Sequence, residues 1–210
     1  MTDPKTRRGR ESKARIVMAA AELMYERGVT ATSVEDVLTA SGAGKGQFYH
    51  YFSSKKDLVI EVVRYQLEVV LAEQDEFRLD TWEGIQAWFD AMVMHQTRRR
   101  FLGCPLGSIA GEVIEQGERL RGTAAEAFLR WEAVLAAGLG AMRSRGLLRA
   151  DTDLPALAET TIATLQGGYL LSSTKRDIQA MRNAVAAARR DLNSFASTDA
   201  PKPRRGRPRS

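Results

Sequence analysis

Apolar residues return every third or fourth position through almost the whole chain, and stretches alternating apolar with polar residues are nearly absent. That period belongs to amphipathic helices and leaves little material for a sheet. The first stripe is Ile16, Ala19, Ala20, Leu23 and Met24, stopped by Gly28 where a helix C-terminus favours glycine. Thr32-Ser33-Val34-Glu35 reads as a capping box with Thr32 as N-cap, opening a short helix whose inner face is Val34, Val37 and Leu38. After the turn Ser41-Gly42-Ala43-Gly44, a third short helix is predicted from Lys45 to Phe52. Ser53 or Ser54 caps a long fourth helix running to about Phe77, with Leu58, Val62, Tyr65 and Val69 as its apolar positions.

The remainder continues as helices: Trp82 to Thr97, a short one within 103–113 with Pro105 in its first turn, Arg119 to Arg143, Leu154 to about Ser172, and Ile178 to about Phe195. The predicted fold is all-α, a small N-terminal three-helix bundle joined to a larger helical domain. Its expected divisions are a basic flexible arm over 1–10, a bundle over 11–57, the larger domain over 58–196 and a basic disordered tail over 197–210. The longest apolar run, 133–142, is too short to span a bilayer, and the polar N-terminus does not resemble a signal peptide. The single Cys104 excludes an internal disulfide framework and fits a reducing cytoplasm. With only two histidines beside it, no cofactor and no metal site are expected.

Charge is unevenly placed. Residues 1–56 hold ten Lys/Arg against six Asp/Glu, and residues 200–210 hold five Lys/Arg and no acid, whereas 57–199 hold sixteen basic and twenty acidic residues. Basic ends around an acidic middle point to a polyanion that meets the ends only. The segment GKGQFYHYFSSKKDL at 44–58 sharpens this, because it crowds rings between lysines. Phe48 and Phe52, four residues apart, share one helical face and close a small core against Leu23, Val34 and Leu38. The other side presents Lys45, Gly46, Gln47, Tyr49 and His50, with Tyr51 at the flank, a surface suited to the major groove of a duplex.

TSVEDVLTASGAGKGQFYHYFSSKKDL at 32–58 resembles the TetR family in order and spacing: a threonine-led helix, an alanine-glycine turn, a segment like SKGTFYHYF, and a serine-lysine pair opening a long helix. It departs at Gly44 and Gln47, where the family usually has Ser or Thr. The resemblance implies double-stranded DNA as partner, with Gln47 and Tyr49 at base edges and Thr32, Ser33, Lys45, His50, Tyr51 and Lys55 at phosphates. Gly46 lets the backbone approach the duplex closely. TRRGRESK at 6–13 suggests an arm for a minor groove, and Arg205-Gly206-Arg207-Pro208 resembles the core of an AT-hook or is simply a cationic tail.

For the larger domain the resemblance implies a bacterial, cytoplasmic repressor released by a small apolar or aromatic effector. The alternative is an effector-independent regulator or activator. Trp88, Met92, His95, Phe101, Cys104, Trp131, Gln166 and Tyr169 are the candidate cavity lining, and each serves equally well as core. Cys104 is either an oxidant sensor or a packing residue. Ile178, Met181, Val185, Ala188, Leu192 and Phe195 form a seam spaced 3-4-3-4-3 that a facing helix must cover. The preceding helix supplies Leu157, Ile162, Leu165 and the small Gly167-Gly168 pair. The resemblance implies that these last two helices pair with their twins in a homodimer through Leu165, Ile178, Met181, Val185 and Leu192, the alternative being a core within one chain. GCPLGS with the later TLQGGYLL resembles the LmrA/YxaF-like branch, whose members resemble controllers of efflux or detoxification genes. Nothing in the chain reads as an enzyme: no phosphate-cradling loop and no nucleophile-base pair occurs. Glu112, Glu115 and Glu118, spaced three apart without a histidine, read as a solvated face.

Overall fold

The computed structural model describes residues 6–197, which form helices α1 (Arg7–Arg27), α2 (Val34–Ser41), α3 (Lys45–Tyr51), α4 (Lys55–Asp75), α5 (Trp82–Arg98), α6 (Pro105–Val113), α7 (Glu118–Ser144), α8 (Leu154–Lys175) and α9 (Ile178–Ser194). The only strand-like pairing among them is the bridge between Leu148 and Ala196, which ties the end of α9 to the turn after α7.

Local chemistry explains most of the boundaries. Ser54, Thr81 and Asp153 each accept a hydrogen bond from a backbone N–H of the first turn of α4, α5 and α8. Cys104 caps α6 through its sulfur, with Pro105 as the first helical residue. Two expectations need correction. The first concerns the basic arm: α1 already begins at Arg7, because the Thr6 hydroxyl accepts from the Gly9 N–H at 3.1 Å and Arg7 pairs with Glu11 one turn on at 2.8 Å. Among strong helix formers such as Arg, Lys, Ala and Glu, that cap suffices to start a helix in place of an arm. Residues 1–5 and the tail sequence at 205–208 lie outside the described residues.

The second correction is the register of α2. Its N-cap is Ser33 rather than Thr32, and the reciprocal partner is Asp36 rather than Glu35. The Thr32 hydroxyl is already used, donating to the Gly28 carbonyl at 2.9 Å from a buried position. Ser33 is the next free hydroxyl, so Asp36 N–H donates to it at 3.1 Å while the Asp36 carboxylate accepts from Ser33 N–H at 2.8 Å.

One connected core runs from Ile16 through Phe48 and Phe52 to Trp131 and Leu192. α4 crosses the expected boundary near residue 58, packing on α1 of the bundle as well as on α6 and α7. The most extensive packing is α8 on α9. A Cβ added at Gly168 would lie 2.5 Å from that of Ala184, so the glycine admits this close approach.

Candidate nucleic-acid interface and effector cavity

α3 divides its residues between two environments. Phe48 and Phe52 are both 0 % exposed and their rings lie 5.2 Å apart, in the same cluster that Leu23, Val34 and Leu38 pack against. Lys45, Gly46, Gln47, Tyr49 and His50 are exposed, and Tyr49 keeps 57 % of its surface free.

Gly44 supplies no side-chain cap, and Gln47 compensates by folding its Oε1 toward the Gly44 N–H at 3.3 Å. Lys45 reaches Glu35 at 3.5 Å, an exposed pair of little energetic weight. A Cβ at Gly44 or Gly46 would meet nothing within 4 Å, so no contact inside the chain demands glycine there. Lys55, half-buried, starts α4 beside this surface, and Ser33 lies exposed at the start of α2. The Ser33 hydroxyl and then its backbone N–H bond to Asp36 and hold that carboxyl below its usual value.

Thr32 and Tyr51 do not join the exposed set. Thr32 is 1 % exposed with its hydroxyl committed to Gly28, and Tyr51 is 7 % exposed with its ring in the core. At these two positions the side chain supports the surface from behind, because the helical turn carries residue 51 round to the face of Phe48.

In the larger domain a cavity of about 410 Å³ opens between α4, α5, α7 and α8. Trp88, Met92, His95, Cys104, Trp131 and Tyr169 line it as expected, while Phe101 and Gln166 do not. Phe101 is held in a tight left-handed turn with Arg100, and Gln166 is packed against Gly107, where a Cβ would come within 2.1 Å of its Oε1. Val70, Glu73 and Gln74 at the end of α4, with Phe77 just beyond it, add to the lining. Val70, Glu73 and Gln74, spaced three or four apart from Val70, share one face of α4.

Trp131 Nε1 donates to Gln74 Oε1 at 2.7 Å, and both residues are buried. The buried Tyr25 hydroxyl donates to the Gly103 carbonyl at 2.6 Å and lies 3.4 Å from His95 Nε2. Burial lowers the His95 pKa from its usual 6.5, opposed in part by Glu73 at 4.0 Å. Burial pushes the Cys104 thiol up, which disfavours thiolate, and its sulfur caps α6. Among the described residues no group of three or more His, Cys, Asp or Glu is placed to hold a metal ion. No helix among them is long and apolar enough to cross a membrane.

The expected dimer residues are largely used inside the chain. Leu165, Met181, Val185 and Leu192 are buried where α8 meets α9, and Ile178 is half-buried at the start of that seam. The seam is covered by α8 of the same chain, and α5 packs on α9 as well. What α8 leaves outside is a strip of Ala156, Thr160, Ala163, Leu170, Leu171 and Thr174, with Leu170 67 % and Leu171 48 % exposed.

A helix-turn-helix bundle with one outward reading face, carried by a helical domain with its own cavity, defines a DNA-binding transcriptional regulator. Residues 16–62 match the model of bacterial regulatory proteins of the tetR family, and residues 81–187 match that of the LmrA/YxaF-like transcriptional regulator C-terminal domain. The chain belongs to the TetR family. An uncharacterised HTH-type regulator from the lacX 3′ region of Lactococcus lactis subsp. lactis is 30% identical over 181 residues, 83% of this chain and 89% of that one. LmrA of Bacillus subtilis (strain 168) is 29% identical over 80% of this chain and 89% of its own. Among solved structures, a TetR-family regulator from Cytophaga hutchinsonii superposes with a TM-score of 0.78 at 20% identity, covering 92% of this chain and 98% of that chain. Reduced NemR of E. coli gives 0.72 at 21%, covering 90% and 99%. These likenesses establish the fold.

Proposed function

We propose that this regulator is a repressor that binds a palindromic operator as a homodimer and leaves it when a small apolar or aromatic effector enters the cavity. The observation that carries the DNA half is the division of α3, with Phe48 sealed in the core and Tyr49 standing free. Gln47 and Tyr49 read base edges, the amide of Gln47 leaving Gly44 to pair with adenine. Lys45, Ser33, His50 and Lys55 hold phosphates, and the released counterions supply most of the salt dependence. Thr32 and Tyr51 hold this surface in place.

The outer strip of α8, with Leu170 and Leu171, supports a homodimer, since exposed large apolar side chains of this kind are usually covered. Two copies would set two α3 helices on successive half-sites. The cavity volume and its Trp, Met and Tyr walls suit a flat apolar molecule with a few polar groups. An effector releases DNA only by preferring the released state; in this account it tilts α4, whose two ends meet the bundle and the cavity. The protein then resides in the cytoplasm with its DNA.

The test is Tyr49→Ala, assayed on duplexes selected from a random pool by the wild-type protein. Loss of binding with an unchanged melting temperature supports the reading; a large loss of stability instead assigns Tyr49 to the core.

A further inference from the structure

The carboxylate series dismissed as a solvated face contains one residue with specific partners. Glu112, in the last turn of α6, accepts through Oε2 from the backbone N–H of Val29 at 2.9 Å and of Thr30 at 3.3 Å. These two residues form the turn between α1 and α2. Gly28, at φ +91°, makes room for the contact, because a Cβ there would lie 3.0 Å from Glu112 Oε1. At the other end of α6, the Tyr25 hydroxyl of α1 donates to the carbonyl of Gly103, the residue before the Cys104 cap. One short helix is thus fastened at both ends to the end of α1 and the turn that follows it.

The same helix borders the cavity, since Cys104 and Pro105 line it. From the turn the connection continues inward. The Thr32 hydroxyl grips the Gly28 carbonyl, Ser33 caps α2, and α2 leads into α3. A nearby pair of contacts, Lys56 Nζ to the Gln116 carbonyl at 3.1 Å and Arg119 to Asp57 at 2.8 Å, holds the segment after α6 to the start of α4.

We infer that Glu112 and Tyr25 are positioning residues for DNA recognition, tethering α6 to the α1–α2 turn so that the wall of the cavity sets the pose of the reading helix. The inference rests on the DNA-binding reading. A carboxylate bonded to two backbone N–H groups is a charge-assisted contact that is lost as a unit when α6 shifts along its axis. Movement at Cys104 and Pro105 therefore releases the turn without unfolding either part. Neither residue touches DNA in this account; both act through the turn.

The test uses the full chain and two readouts, amide hydrogen exchange at Val29 and Thr30 and affinity for a duplex selected from a random pool by the wild-type protein. Glu112→Ala is expected to speed exchange at both amides at least tenfold and to weaken the duplex about tenfold, with exchange in α7 to α9 unchanged. Glu112→Gln, whose amide oxygen still accepts, is expected to recover most of both losses. Tyr25→Phe is expected to weaken the duplex in the same direction. Wild-type exchange and affinity in Glu112→Ala, or equal impairment in Glu112→Gln, overturns the tether. A wild-type chain that selects no duplex sinks the DNA-binding reading and, with it, the role in recognition. Exchange at Val29 and Thr30 still decides separately whether the contact holds the turn.

Discussion

Gly46 offers a sharp test because stability and binding should move in opposite directions. It lies in the first turn of α3 with nothing within 4 Å of the place a Cβ would occupy, and it needs no left-handed φ. Alanine there meets no neighbour and restricts the unfolded chain, a gain of about 0.5–1 kcal/mol. For a chain of this size that corresponds to a rise in melting temperature of about 1–4 °C. On DNA the same methyl stands where the account puts the closest approach of backbone to duplex. A penalty of about 1.4 kcal/mol per half-site is a tenfold loss, and so roughly a hundredfold loss for a dimer on both half-sites. Scanning calorimetry and titration of a labelled duplex measure the two effects on one preparation. Unchanged affinity would refute the close approach, and a lower melting temperature would refute the open space.

Trp131→Phe removes the indole donor and leaves the buried Gln74 carbonyl unpaired; we expect a loss of about 1–3 kcal/mol in urea unfolding, much of it recovered in the double variant with Gln74→Leu. Leu170→Glu with Leu171→Glu should dissociate the proposed dimer in sedimentation without loss of helix content, whereas Leu165→Ala should cost about 2–5 kcal/mol of fold stability, as expected for a buried leucine. Because burial lowers the His95 pKa, the unfolded chain takes up that proton first as pH falls below 6.5. Stability should therefore decline from pH 6.5 down through the lowered value, and His95→Gln should flatten that part of the profile.

The helices were legible because each carries a continuous apolar period and most carry a recognisable cap. Capping register was less so: Thr32 and Ser33 are adjacent hydroxyls of similar chemistry, and only the Gly28 carbonyl, brought close by the turn, decides between them. The start of α1 was hidden by its charge, since a run of arginines suggests repulsion until the Thr6 cap and the Arg7–Glu11 pair are placed. The seam over 178–195 was legible from its 3-4-3-4-3 spacing, and so was the preceding helix that faces it. Periodicity defines a face but not every helix that covers it: Gly168 lets α8 come close, and α5 packs on α9 as well.

At the site, the alternation of buried Phe48 and exposed Tyr49 followed directly from the helical period. The cavity was half visible. Rings on α5, α7 and α8 announced it, but the α4 wall includes Glu73 and Gln74, which look like surface residues until Trp131 is seen to bond Gln74. Glu112 carried no sequence signal at all, because its partners are main-chain N–H groups 83 and 82 residues away.

The central claim is that the exposed face of α3 meets a duplex. The most direct measurement is a hydroxyl-radical footprint of the full chain on genomic fragments that co-purify with it. The account predicts two protected half-sites related by a palindrome, their centres separated by about one helical turn or a multiple of it, and no protection with Tyr49→Ala. A single unpaired patch, or an identical footprint from the Tyr49→Ala protein, would contradict it.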